Sequence, residues 1–493
     1  MVLGFDNDKY LKLQSQKIAE RVSEFGGKLY LEFGGKLFDD HHASRVLPGF
    51  LPDSKIVMLS TMREQVEIII VISAVDIAQN RLRADMGITY DEDVLRLYDL
   101  LADRGLYVGS IVISQFSEQN NAAVKFQRRL ESHGIKVYRH SHIDGYPSNV
   151  SHIVSAEGFG KNEYVETSRN IVVVTAPGPG SGKMSTCLSQ MYHDATRGIR
   201  SGYAKYETFP IWNLPLTHPV NIAYEAATAD LNDVNMIDPW HMQAYGLSAV
   251  NYNRDVEVFP VLNAIFTKVL GNSPYKSPTD MGVNMVGYCI SNDDACREAS
   301  RQEIVRRYLS AKVSARKGQS SASIVDKLQI IMSKLDLDET DRKVLVEARK
   351  YQQQSGCHSA AIELPNGRIV CGKKSALLSP SAAALLNAVK ALANLPDVNL
   401  IAPTALEPIQ KLKTVSFGDI TAELRSDEAL MALTVSASVN PMAALAVEQL
   451  VKLRGCQMHL TAIPPHADAK TLRKLGVHMT SDDVYSCNQV YFN

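Results

Sequence analysis

The chain carries almost no net charge: 52 Lys and Arg stand against 53 Asp and Glu, for a formal charge of −1. That balance provides no broad field for steering the protein onto nucleic acid or acidic lipid, so neither is expected as a partner. Long apolar runs are also missing. The longest, Val66 to Ala78, falls short of the roughly 20 residues that cross a bilayer and contains Glu67 and Asp76, so it reads as a buried strand and no membrane association is expected. The N-terminal MVLGFDNDKYLKLQSQKIAE lacks the basic-then-apolar order of a secretory signal, which makes cytoplasm the expected location. Cysteine pairs are missing too. Cys187, Cys289, Cys296, Cys357, Cys371, Cys456 and Cys487 are scattered without a CxxC, and read as reduced thiols, mostly in cores.

What is present is ordinary globular material, 45% hydrophobic and 21% charged, in a chain of 493 residues that is too long for one core. Up to about residue 313, short β-branched runs alternate with helical patterns: KLYLEF, VEIIIVISA, a helix near Asp91 to Ala102, YVGSIVIS, a helix near Gln119 to His133, IKVYRH and IVVVTA. Such alternation predicts an α/β domain with a mostly parallel sheet covered by helices on both faces. EFGGKL occurs at Glu24 to Leu29 and again at Glu32 to Leu37, too few copies for a repeat architecture. Polar SARKGQSSAS, Ser314 to Ser323, opens a helical linker over 314–355, in which Asp338 or Thr340 is placed to cap the second helix. From 356 onward a hairpin signal around Pro365-Asn366-Gly367, a long helix at Ser379 to Leu395 and a strand NLIAP predict a smaller C-terminal α/β domain. Its layout is loosely that of the cytidine deaminase fold, yet the H-x-E and P-C-x-x-C that such chemistry needs are absent, which excludes deamination.

The most informative segment is IVVVTAPGPGSGKMSTCLSQMYHD, Ile171 to Asp194. A strand, a turn with Gly178, Gly180, Ser181 and Gly182, then Lys183 and a helix is the order in which backbone N–H groups and a helix N-terminus cradle phosphate. It is P-loop-like rather than a full match, because Pro177 stands where the first glycine belongs and Met184 follows the lysine. Magnesium, if used, falls to Ser185 or Thr186. The expected ligand is ATP, another nucleotide or a small phosphorylated metabolite.

LEFGGKLFDDHHASRVLPGF at Leu31 to Phe50, GSGKMSTCLSQMYHD at Gly180 to Asp194, NYNRDVEVFPVL at Asn251 to Leu262 and SAAIELPNGRIVCGK at Ser359 to Lys373 carry a resemblance to the bacterial family known as domain of unknown function 1846. The resemblance spans nearly the whole chain and implies a bacterial cytosolic protein. It brings no reaction with it.

DLNDVNMIDPWH offers Asp230, Asp233, Asp238 and His241 as candidate catalytic acid, base or metal groups, or as caps and turn formers around Pro239. Arg254, between Asn253 and Asp255, suits an anionic substrate group and equally an internal ion pair. Asp39, Asp40, His41 and His42, with Arg45, follow the first strand, where a parallel sheet places ligand-lining residues; a solvated loop explains them as well. His140, His142 and His152 match no established zinc spacing, so no zinc is expected and no metal ligand is assigned among them. Gly372, Lys373, Lys374, Ser375, Ser379 and Ser381 suit an anion or plain turn and cap roles, and NPMAALAVEQLVKL from Asn440 reads as core or subunit interface. Together these residues point to an enzyme that uses a nucleoside triphosphate or transfers a phosphoryl group on a small metabolite. The alternative is a non-catalytic protein that binds a nucleotide or phosphometabolite and reports occupancy. A homo-oligomer is the default assembly.

Overall fold

The computed structural model describes residues 3–486 apart from 39, 84, 85 and 420. It divides the chain into a larger unit ending at Ser300 and a smaller one starting at Arg301, the division falling within the helix Asp293–Arg316.

The larger unit is built on seven strands: β1 (Leu29–Phe33), β2 (Val66–Ser73), β3 (Tyr107–Phe116), β4 (Val137–Ser141), β5 (Ile171–Thr175), β6 (Gly202–Tyr206) and β7 (Gly282–Val283). They form one parallel sheet in the order β7-β6-β1-β5-β2-β3-β4. Every residue of β1, β2, β5 and β6 is buried, as the continuous β-branched runs anticipate for strands covered on both faces. α1 (Asn7–Glu24) packs with the helix Ser54–Thr61, while α2 (Lys183–Thr196) packs with α3 (Asn253–Leu270). The chain leaves β1 toward β2 and leaves β5 toward β6, in opposite directions along the sheet. By the right-handed rule for such crossovers the following helices fall on opposite faces, and the carboxyl ends of β1 and β5 form the switch point where parallel sheets of this kind take ligands.

The smaller unit holds β8 (Ser359–Glu363), β9 (Ile369–Lys373), β10 (Gln457–Leu460) and β11 (His478–Ser481), ordered β9-β8-β10-β11. β8 is antiparallel to both neighbours and β10 is parallel to β11. The predicted hairpin is present, with Gly367 at φ +81° in its turn. α4 (Pro380–Leu392), capped by Ser379, covers β8 and β9. Arg342 is wholly buried here, donating to Thr480 Oγ1 at 2.9 Å, Gln457 Oε1 at 2.9 Å and the carbonyls of Met458 at 3.2 Å and His478 at 2.8 Å. Burial, helped by Arg306, pulls its pKa down to about 9.

The strand expected at NLIAP does not form: residues 399–402 are irregular and run directly into the helix Pro403–Lys411. Pro403 presets φ for a first helical turn and lacks the N–H a ladder needs, so the short apolar run contributes buried Leu400 without joining the sheet. In the segment from Asn440, Ala443 and Ala446 are buried while Met442 and Leu445 are exposed, so it is core on one side only. Six described cysteines are free thiols, Cys357 and Cys371 half-buried and the rest buried; Cys487 lies outside the described residues. Among the described residues no helix is long and apolar enough to cross a membrane.

Candidate functional site

The glycine loop sits at the carboxyl end of β5, beside that of β1. Gly180 and Gly182 take φ of +80° and +93°, a region that side chains avoid. Space restricts the loop as much as conformation does: a Cβ at Gly178 would lie 2.1 Å from the Tyr90 hydroxyl, and one at Gly182 would lie 2.9 Å from Ser114. Ser114 Oγ donates to Ser181 O at 2.8 Å and Arg81 to Pro179 O at 3.4 Å, while Ser181 Oγ donates to Gly178 O at 3.0 Å, so the loop is held by two outside residues and one internal bond.

α2 starts on this loop without a side-chain cap. Among the described residues, the N–H groups of Gly178 and of Gly180 through Ser185 donate to no protein acceptor; the first that does is Thr186, to Gly182 O at 2.9 Å. Lys183 is half-buried, with its Nζ 3.5 Å from Gly178 O and no carboxylate in ion-pair range among the described residues. Burial holds its pKa below the ordinary lysine value; Glu32 pulls the other way, and the cations Lys205 and Arg254 add to the lowering. Ser185 is half-buried, whereas Thr186 is fully buried with Oγ1 3.5 Å from His140 Nδ1.

Beside Lys183 lies a buried, mixed-charge floor. Glu32 on β1 stands opposite Val174 of β5 and Lys205 of β6. The Tyr203 hydroxyl donates to Glu32 Oε2 at 2.7 Å. Lys205 Nζ pairs with Glu207 Oε1 at 2.9 Å and also bonds Asp255 in the first turn of α3 and the Tyr252 hydroxyl. Burial pushes Glu207 up to about 7, against the pull of Lys205 and with the help of Asp255. Tyr146 is 37% exposed; burial of its hydroxyl, then Glu32 and Cys187, push its pKa up to about 12.

With the site in place, two family models match the chain, described as the N-terminal and C-terminal parts of domain of unknown function DUF1846, over residues 3–336 and 340–491. The chain belongs to the DUF1846 family. Relatives within it share the full length. The UPF0371 protein cu0538 of Corynebacterium urealyticum is 54% identical over 490 residues, covering 99% of both chains. The UPF0371 protein of Streptococcus pneumoniae strain JJA is 52% identical over 489 residues, again covering 99% of both. The family expectation from the four quoted segments is therefore met, and two of them supply the glycine loop and the start of α3.

The acidic run of this DUF1846 chain is spread out in space. Asp230 is exposed and adds to the field that raises the Arg81 pKa. Asp233 is buried and pairs with Arg254 at 2.9 Å, so Arg254 does form the internal ion pair, while its side chain stays 53% exposed beside the Tyr252 ring. Asp238 is wholly engaged in structure: it caps the helix Pro239–Tyr245 through Trp240 N and His241 N, both at 3.0 Å, and accepts from Thr279 Oγ1 at 2.6 Å. His241 bonds Ser277 at 2.9 Å. Asp40 is buried, caps the helix His41–Val46 and pairs with Lys55 at 2.9 Å. His41 is exposed and Arg45 half-buried on that same short helix; Asp39 lies outside the described residues.

Sequence reading did not single out Glu32, Lys205 or Glu207. Their signal was present all the same: Glu32 and Lys205 are charges in strands buried on both faces, which is costly unless paired, and Glu207 directly follows the second strand.

Proposed function

We propose that the larger unit binds a small phosphorylated ligand, its phosphate seated on the loop at 177–182 and the first turn of α2, and that it is an enzyme acting on that ligand. The observation that carries this reading is the row of N–H groups that find no acceptor among the described residues, next to a half-buried Lys183 that finds no carboxylate among them. Donors gathered on an open loop at a helix N-terminus are met by water or by an anion, and an anion meets them best. Lys183 supplies a point charge to the outer oxygens.

The enzymatic part of the proposal rests on Glu207. A buried carboxyl that titrates near 7 beside a substrate site has the proton affinity of a general acid or base. The ligand is a nucleotide, with magnesium, or a phosphorylated metabolite. Met184 and the inward Thr186 leave Ser185 as the one hydroxyl of this turn suited to magnesium, which favours the metabolite.

A thermal-shift comparison tests this reading. Nucleotides and phosphorylated metabolites, with and without magnesium, are screened against the native chain and Lys183→Ala. A ligand that raises the unfolding temperature of the native chain and not of the variant supports the site; no shift with any compound removes it.

A further inference from the structure

We infer that the part of the ligand beyond the phosphate is a polyhydroxyl group, so that the site takes the monophosphate ester of a sugar or polyol. The inference rests on the phosphate reading above and names the chemistry of the other half. Glu32, Glu207 and Asp255 are 7%, 8% and 5% exposed. Each uses one carboxylate oxygen, toward Tyr203 or Lys205. The other three oxygens, Glu32 Oε1, Glu207 Oε2 and Asp255 Oδ1, accept no hydrogen bond among the described residues. None of the three is among the sealed, unpartnered side-chain atoms of the described residues, so each stays open to a donor from outside the chain.

The missing donors must come from the open side, because the Lys205 ammonium already fills the space between Asp255 and Glu207. Three carboxylates around one ammonium repel a second phosphate, which confines the ligand's anionic charge to the loop and Lys183. An apolar group would leave the three oxygens unmet. Hydroxyl groups fit, since each donates to a carboxylate and accepts from a neighbour. Glu207 strengthens the preference: burial raises its pKa against the pull of Lys205, and a carboxyl held toward its neutral form suits a hydroxyl oxygen and not an ammonium. At the rim, the Tyr146 hydroxyl has no partner among the described residues and lies within the field of Glu32, adding one more group that pairs with a hydroxyl.

Isothermal titration of the full chain near neutral pH tests this with five probes: inorganic phosphate, glucose 6-phosphate, ribose 5-phosphate, phosphoethanolamine and ADP. A sugar phosphate is expected to bind at least about tenfold tighter than inorganic phosphate, the worth of one hydrogen bond to a charged acceptor. Glu207→Gln removes the advantage of the sugar phosphate over inorganic phosphate. The ranking of the five probes on the native chain needs no variant, so a misfolded Glu207→Gln does not blunt the test. If phosphate binds through Lys183 but neither sugar phosphate exceeds it, or if phosphoethanolamine or ADP binds tightest, the polyol inference is overturned while the phosphate site stands. If none of the probes binds, both fall.

Discussion

Replacing Glu207 by glutamine keeps the shape of the side chain and removes its titration, and the structure sets the size of the consequence. The carboxyl titrates at about 7 in the folded chain against 4.5 ordinarily, with burial as the main cause. Below pH 4.5 the folded and unfolded states are both protonated, and the contribution of Glu207 is fully present. As pH rises from 4.5 toward 7, the unfolded chain gives up this proton while the folded chain keeps it, so stability is lost. Above about 7 both states have released it and the loss is complete. At about 1.36 kcal/mol per pH unit, the interval corresponds to at most about 3 kcal/mol. Glu207→Gln should therefore flatten the native curve, the native-minus-variant difference in unfolding free energy falling by up to that amount between about pH 4.5 and pH 7. Equilibrium urea unfolding of both proteins at half-unit steps from about pH 4.5 to pH 8 measures it, since other titrating groups cancel in the difference. Parallel curves would refute the reasoning: Glu207 would then titrate as an ordinary carboxylate and could not serve as the proton-transfer group.

Other perturbations follow from equally specific contacts. Gly182→Ala places a Cβ 2.9 Å from Ser114 on a residue at φ +93°, so it should cost about 1–3 kcal/mol in chemical unfolding and weaken phosphate binding at least about tenfold in the same titration format. His140 is buried and its pKa is pulled down to about 4, first by burial, so its stabilising contribution is complete above 6.5 and is lost as pH falls toward 4; His140→Phe should reduce acid sensitivity in that window, read from unfolding midpoints. Arg342→Ala strips the donor from four acceptors in the core of the smaller unit and should cost about 3 kcal/mol or more, seen as early loss of hydrogen-exchange protection in β10 and β11.

The sheet of the larger unit was legible because burial on both faces leaves an unmistakable run of β-branched residues, as in Val66–Ser73 and Ile171–Thr175. The glycine loop was legible because its chemistry is local: Gly180 and Gly182 must allow a left-handed backbone, and Lys183 follows at once. NLIAP misled because a short apolar run carries no period, and only the neighbouring sheet decides whether it pairs. The floor was invisible for a different reason. Glu32 and Lys205 are adjacent only through strand pairing across 173 positions, and neither differs in sequence from a surface charge. Conversely Asp238 and His241 looked chemical by proximity in the chain, yet the Pro239 that follows Asp238 marks a helix start, where an aspartate caps.

The most direct test of the phosphate site is nuclear magnetic resonance of the chain labelled with ¹⁵N at its 29 glycines, titrated with inorganic phosphate. The amide signals of Gly178, Gly180 and Gly182, assigned by single substitution, should move as phosphate occupies their N–H groups, and stay still in Lys183→Ala. Unchanged loop signals at saturating phosphate, or shifts confined to glycines of the smaller unit, would contradict the phosphate site.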